Sequence, residues 1–276
     1  MNPKFKRRLD AVDGVLEDRK RLASLERQRN YLLRNPRALV SLLGMHPDEW
    51  QTDLMGKLAG DQETPIKRAV IACGRQVGKS AILSVYGAYA AMCQAKTVAV
   101  SAPSFRQSLE LAQKIRRIIQ RVNTVAVVKD AVIDLRLANG GRVVALPPSG
   151  TGRGFTLDAL LVDEAAFLTD RSDLIEALTP ALALADGQLI LASSPGQPRG
   201  LLYQAWQSES WYRVKVRCDQ CARISPEFLT QQRILLGEEA YRREFEAEFV
   251  DGNDVFLSEF DVDGCSSQLA TEWLEI

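Results

Sequence analysis

The chain has 276 residues, 46% hydrophobic and 25% charged, with 35 basic and 35 acidic residues. This is ordinary globular composition with ample core, and it excludes a low-complexity or disordered chain. A formal net charge of zero excludes a global basic field. No apolar run is long enough to span a bilayer, and no apolar segment follows the basic start to make a secretory signal.

The charge is unevenly placed. Residues 1–40 hold eleven Lys/Arg against five Asp/Glu, and residues 251–276 hold seven Asp/Glu and no Lys/Arg. A basic helical arm over 1–44 and an acidic tail over 251–276 are therefore expected to flank one larger domain over 45–250. The five cysteines at 73, 93, 218, 221 and 265 are expected to be free thiols in a cytosol. Cys218-Asp-Gln-Cys221 has metal-like spacing, but a structural zinc site needs four ligands. Only Cys265 and the single His46 are left to supply them.

In chain order, residues 5–34 read as a polar helix interrupted at Asn35-Pro36, followed by a short helix over 51–60 and a loop over 60–65. The pattern then alternates. A strand over 67–73 precedes a helix over 79–94, and a strand over 97–101 precedes a helix over 104–122. A hairpin follows, with arms over 131–136 and 141–146 joined at Asn139-Gly140. A strand over 157–164 runs into two acids, followed by a helix over 171–184 and a strand over 188–193. After 199 come a helix to about 208, a strand over 212–217, and helices near 226–235 and 238–248. Strands alternating with helices predict an α/β fold, a mostly parallel sheet flanked by helices.

Three strand ends carry chemistry. Cys73-Gly74-Arg75-Gln76-Val77-Gly78-Lys79-Ser80 is a phosphate-binding loop whose first Gly is replaced by Cys73. It lies between an apolar strand and a helix start, where backbone N–H groups and the helix dipole favour an anion. Lys79 would reach phosphate and Ser80 would ligate Mg²⁺. Ala159-Leu-Leu-Val-Asp163-Glu164 ends a strand in two acids, Asp163 suited to hold Mg²⁺ and Glu164 to activate water. Ser193 or Ser194 ends a third strand and could sense a γ-phosphate. Arg75 and Arg153 are both candidates to meet transition-state charge. Upstream, Trp50 and Gln51 could stack on and hydrogen-bond an adenine.

Taken together and in this order, the motifs resemble those of the ATPase domain of the large terminase subunit, the motor that packages DNA into viral procapsids. The resemblance covers about 45–250. It includes Arg75-Gln76-Val77-Gly78-Lys79-Ser80, a loop lacking the first Gly as is usual in that family. It also includes Ser101-Ala102-Pro103, Arg153-Gly154, Asp163-Glu164, Ser193-Ser194-Pro195, Trp50-Gln51 and Gly200-Leu-Leu-Tyr203.

The resemblance implies a P-loop NTPase of the ASCE or RecA-like kind that hydrolyses ATP with Mg²⁺ and moves double-stranded DNA during virion assembly. Gly74, Arg75, Gln76, Val77, Gly78, Lys79 and Ser80 would cradle phosphate, and Asp163 and Ser80 would hold the metal. Glu164 would activate water, and Arg153 looks like a finger acting across subunits. Ser193 and Ser194 would couple hydrolysis to movement. The implied partners are double-stranded DNA, a portal protein, a small terminase subunit and further copies in a ring, by resemblance a pentamer, in the host cytoplasm. The nuclease domain usual in that family finds no room after residue 250, so no DNA cutting is expected of this chain. The rival readings are another RecA-like translocase or helicase, and a non-catalytic nucleotide-binding assembly factor.

Overall fold

The computed structural model describes residues 3–61, 63–148, 154–168 and 173–251. Arg153, Cys265 and the acidic tail beyond Asp251 lie outside the described residues. The secondary structure begins with helix α1 (Pro3–Arg34), which stops where Pro36 bars Asn35 from helical geometry. Helices α2 (Ala38–Leu42) and α3 (Glu49–Ala59) follow. Asp48 starts α3 with a capping box completed by Gln51, and Gly60 ends it in the left-handed region.

The alternating segment has the expected elements. Strand β1 (Arg68–Cys73) leads to α4 (Lys79–Met92), and β2 (Thr97–Ser101) leads to α5 (Phe105–Val122). Then come β3 (Val127–Ala131), β4 (Asp134–Leu137), β5 (Arg142–Ala145) and β6 (Ala159–Asp163). After β6 come α6 (Asp173–Leu184), β7 (Gln188–Ser193), α7 (Gly200–Gln207), β8 (Tyr212–Val216), α8 (Pro226–Leu236) and α9 (Glu238–Phe245). Strand β3 is an addition to the expected set. Its Lys129 and Asp130 break the apolar alternation, and it is almost wholly exposed, so it carries no burial signal.

The strands form one sheet in the order β3-β4-β5-β2-β6-β7-β1-β8. From β5 to β8 every neighbouring pair is parallel, and β3 and β4 extend the β5 edge antiparallel. Side chains alternate between two cores with period two. Ala69, Ile71 and Cys73 of β1 face one core, with Leu161, Ile190 and Val100. Val70 faces the other, with Leu160, Val162 and Leu191. Both faces are covered by helices, which is why the central strands read as continuous apolar runs. The first core extends back to Leu32 of α1 and to Leu39, Val40 and Leu43, so the packed structure begins well before residue 45. No described helix is long and apolar enough to cross a membrane.

One topological fact positions the site. Strand β7 lies between β1 and β6, so the phosphate loop and the Asp163-Glu164 pair flank the end of β7. In open α/β sheets that carboxyl edge is where ligands bind.

At the opposite flank, a buried charge fastens the antiparallel extension. Asp134 is 7% exposed and is met by Arg142 Nε at 2.7 Å, Lys129 Nζ at 2.9 Å and Arg136 at 3.1 Å. Burial pushes its carboxyl up, but hydrogen bonds from Arg142, Lys129 and Arg136 outweigh this and hold it below the ordinary aspartate value of 3.8. A depressed carboxylate stabilises the fold above its unfolded pKa and loses that contribution as the pH falls toward the folded one. Asp134→Asn is expected to cost about 2 kcal/mol at neutral pH. The deficit should shrink on acidification below about pH 4. Urea denaturation at pH 7 and pH 3 measures both.

Candidate nucleotide site

The loop between β1 and α4 is shaped by its neighbours. Gly74 N donates to Val216 O at 2.9 Å and Arg75 N to Glu244 O at 2.8 Å, tying the loop to β8 and to the end of α9. A Cβ on Gly74 would stand 2.4 Å from Cys218 Sγ and 2.9 Å from Phe245 O. Glycine is therefore required at 74 by close approach. At 73, where the standard loop has its first Gly, the backbone is still strand, and the buried Cys73 thiol points toward Ser193 O at 3.8 Å. The shifted glycine follows from where the chain leaves β1.

Further along, Gln76 (φ 61°) and Gly78 (φ 94°) take left-handed conformations and turn the chain into α4. Among the described residues no hydrogen bond occupies the amide N–H groups of residues 76–80. Unbonded amides at a helix start are an anion site. The turn is braced from outside. Gln51 Nε2 donates to Gly78 O at 3.2 Å while its Oε1 accepts from Asp48 N at 3.0 Å. Arg223 donates to Val77 O and pairs with Asp48 at 2.8 Å.

Across the sheet edge, Lys79 Nζ lies 2.6 Å from Glu164 Oε1 and 3.9 Å from Asp163 Oδ1. Ser80 Oγ donates to Asp163 Oδ2 at 2.5 Å, and Ser193 Oγ donates to Glu164 Oε2 at 3.2 Å. Lys79 and Asp163 are each only 13% exposed at the side chain. Burial pulls the Lys79 pKa down, but the charges of Asp163 and Glu164 outweigh it and hold the ammonium above its ordinary value. Burial pushes the Asp163 carboxyl up, with Lys79 and Ser80 countering only part of the rise. Glu164 sits at φ 54°, a left-handed conformation unusual for a side chain of this size, fixed by Asp163 Oδ1 accepting from its N–H at 3.0 Å.

Of these groups, Lys79 and Glu164 open onto a cavity of about 430 Å³, lined also by Arg75, Gln76, Pro103, Gln107, Phe167, Ser194 and Glu244. Ser80 and Asp163 offer adjacent hard oxygens, the donor set suited to Mg²⁺, which takes one or two protein oxygens and completes its shell with water and phosphate. The donors present therefore fit that ion.

Lys79, Ser80, Asp163, Glu164, Ser193 and Ser194 come together at one edge of the sheet. Arg75 lines the cavity with its guanidinium bound to Glu244 at 2.6 Å. Gln51 reaches the loop, but both ends of its amide are engaged by backbone. Trp50 packs against the first core, and its Nε1 is buried with no hydrogen-bond partner among the described residues. Sequence reasoning missed Glu244, Cys218, Asp48, Arg223 and Phe167 as residues around the loop and cavity. Nothing local marks Glu244, which stands 169 residues from Arg75 in the chain. Cys218 Sγ donates to Arg75 O at 3.1 Å and Cys221 Sγ to Asp48 Oδ2 at 3.6 Å. Burial pushes these thiols up to about 12 and about 11. The described residues contain no cluster of three or more His, Cys, Asp or Glu that could hold a metal.

The fold is that of a P-loop NTPase, with strand β7 between the loop after β1 and the Asp163-Glu164 pair. No protein-family model matches the chain, and no curated protein matches it in sequence. Among solved structures, it is similar to the large terminase ATPase domain of Thermus phage P74-26 (23% identity, TM-score 0.63), covering 76% of this chain and 97% of that one. It is also similar to the large terminase of a thermophilic bacteriophage in complex with ADP (13%, TM-score 0.59; 73% and 53% covered). The large terminase of bacteriophage HK97 gives 16% identity and a TM-score of 0.52, with 82% and 47% covered. The match thus spans about half the length of these last two proteins. The fold of this chain is that of the large-terminase ATPase domains.

Gly74→Ala is expected to force the loop away from the Phe245 carbonyl. It should cost about 1–3 kcal/mol of stability and weaken nucleotide binding; denaturant midpoints and titration with a fluorescent ATP analogue measure the two effects.

Proposed function

We propose that this chain is an Mg²⁺-dependent ATPase that drives double-stranded DNA into a viral procapsid. The observation that carries the reading is the Glu164 carboxylate, held at the cavity between Lys79 and Ser193. The likeness of the fold to terminase ATPase domains supports it. ATP would place its phosphates against residues 74–80, where the free amides and Lys79 meet their charge. Ser80 and Asp163 would hold Mg²⁺, which supplies charge neutralisation at the phosphates.

A γ-phosphate competes with Glu164 for the Lys79 ammonium. That exchange frees the carboxylate to take a proton from water as the water oxygen bonds to the γ-phosphorus and the bond to the β–γ bridging oxygen breaks, leaving ADP and phosphate. Ser193, bonded to the other Glu164 oxygen, keeps the carboxylate aimed. It also links the base to β7, and Ser194 carries the link to the cavity, a route for coupling hydrolysis to movement. Arg75 would exchange Glu244 for phosphate, and Arg153 would act on the site of a neighbouring copy in a ring. Trp50 and Gln51 would border the adenine. The arm over 1–44, the ATPase domain over 45–250 and the tail over 251–276 would serve the portal, DNA and a small terminase subunit in the host cytoplasm.

ATP turnover tests the reading. Glu164→Gln is expected to lower kcat by on the order of 100-fold or more while nucleotide still binds. Lys79→Ala should lose both binding and turnover, and chelating Mg²⁺ should abolish turnover of the unaltered chain. Unchanged turnover in either variant would remove the assignment.

A further inference from the structure

We infer that the exposed face of α5 over its second half is the surface that grips the phosphate backbone of duplex DNA, through Lys114, Arg117 and Arg121. The inference rests on the DNA-motor reading above and adds to it the residues that meet the DNA.

Helix α5 carries Arg116, Arg117 and Arg121 close together in the chain, and spacing alone does not distinguish them. The structure separates them. Arg116 turns inward, pairs with Asp130 at 2.8 Å and donates to Ala131 O, so it fastens β3 to the helix. Lys114, Arg117 and Arg121 are exposed and, among the described residues, have no ion-pair or hydrogen-bond partner. Their spacing of i, i+3 and i+7 puts them within about 60° of arc on one face. They span about 10 Å of helix axis, a length of duplex that carries roughly six phosphate charges. Glu110 is on the same side one turn earlier, but Arg106 pairs with it at 3.2 Å. Asp130 is matched by Arg116. Asp18 borders the C-terminal end of α5 beside Asn123, but no carboxylate among the described residues forms an ion pair with Lys114, Arg117 or Arg121. Only Arg121 lies in the last turn, where the helix dipole would favour a cation anyway.

The position of α5 gives the stripe a mechanical role. Its first turn carries Gln107, which lines the nucleotide cavity beside Pro103. Ser104 and Gln107 close a capping box there, and Leu111, Ile115 and Ile119 bury the opposite face of the helix. The helix is thus a rigid rod with one end at the phosphates and the cations about 10–20 Å further along. A small rotation of its cavity end moves the DNA-facing side chains.

Contacts to phosphate carry no sequence information, which suits a motor that must act on any duplex. The test is duplex binding by the full chain across a salt series, using a short blunt DNA of mixed sequence. The Lys114→Gln, Arg117→Gln, Arg121→Gln triple variant is expected to bind at least 10-fold more weakly at low salt. Its log–log salt slope should be shallower by about 0.9 for each phosphate no longer neutralised. Basal ATP turnover without DNA and the thermal midpoint should stay as in the unaltered chain. If the unaltered chain binds duplex and the triple variant matches its affinity and slope, the α5 assignment is wrong while the motor reading stands. If the unaltered chain binds no duplex even at low salt, the motor reading fails and takes this inference with it.

Discussion

A half-buried lysine ammonium held between two carboxylates is the interaction on which the rest of this structure depends. Lys79 comes from the first turn of α4, and Asp163 and Glu164 come from the end of β6. The strands that carry them are not neighbours, since β7 runs between. Taking an ammonium and a carboxylate out of water costs several kcal/mol for each ion unless they meet with good geometry. The sheet must therefore bring three strand ends level at one edge, and the register of β1, β7 and β6 does so. Ser193, ending the middle strand, then falls within reach of Glu164.

The same constraint explains the loop. A phosphate site needs unbonded amides, which are costly in a folded interior, and they are tolerable only where the backbone is held from behind. Here the hold comes from remote parts of the chain. Gln51 and Arg223 fasten the carbonyls of Gly78 and Val77, and α9 and Cys218 crowd Gly74. The left-handed Glu164 is a further local strain, kept by the hydrogen bond from its own N–H to Asp163 and by the partners of its carboxylate.

Electrostatics organise the periphery in the same way, by matching charge wherever side chains are withdrawn from water. Asp134 gathers three cations at the antiparallel edge, and Arg116 is consumed by Asp130. What is left unmatched on α5 is then informative, because surface cations without partners contribute little to stability and are available to an anionic ligand.

Much of this was legible in the chain itself. The strands β1, β2, β6 and β7 are buried on both faces, so they appear as short apolar runs, and Gly74, Pro103, Gly187 and Pro195 lie close to the ends of β1, β2 and β7. Lys79, Ser80, Asp163, Glu164, Ser193 and Ser194 stand at strand ends, where a local motif is enough to suggest a role. Strand β3 escaped because exposure erases periodicity. The residues that brace the site also escaped, since Glu244, Cys218 and Arg223 meet the loop from positions far along the chain and no local pattern encodes such a meeting. Trp50-Gln51 shows the difference in one pair: the sequence placed them near the loop, and only packing decided that Gln51 spends its amide on backbone while Trp50 lies against the core. Local sequence determined which segments are strands and which residues can carry charge to their ends. The tertiary structure alone decided which charges are matched and which are free, because matching is a property of distance and burial between segments remote in the chain.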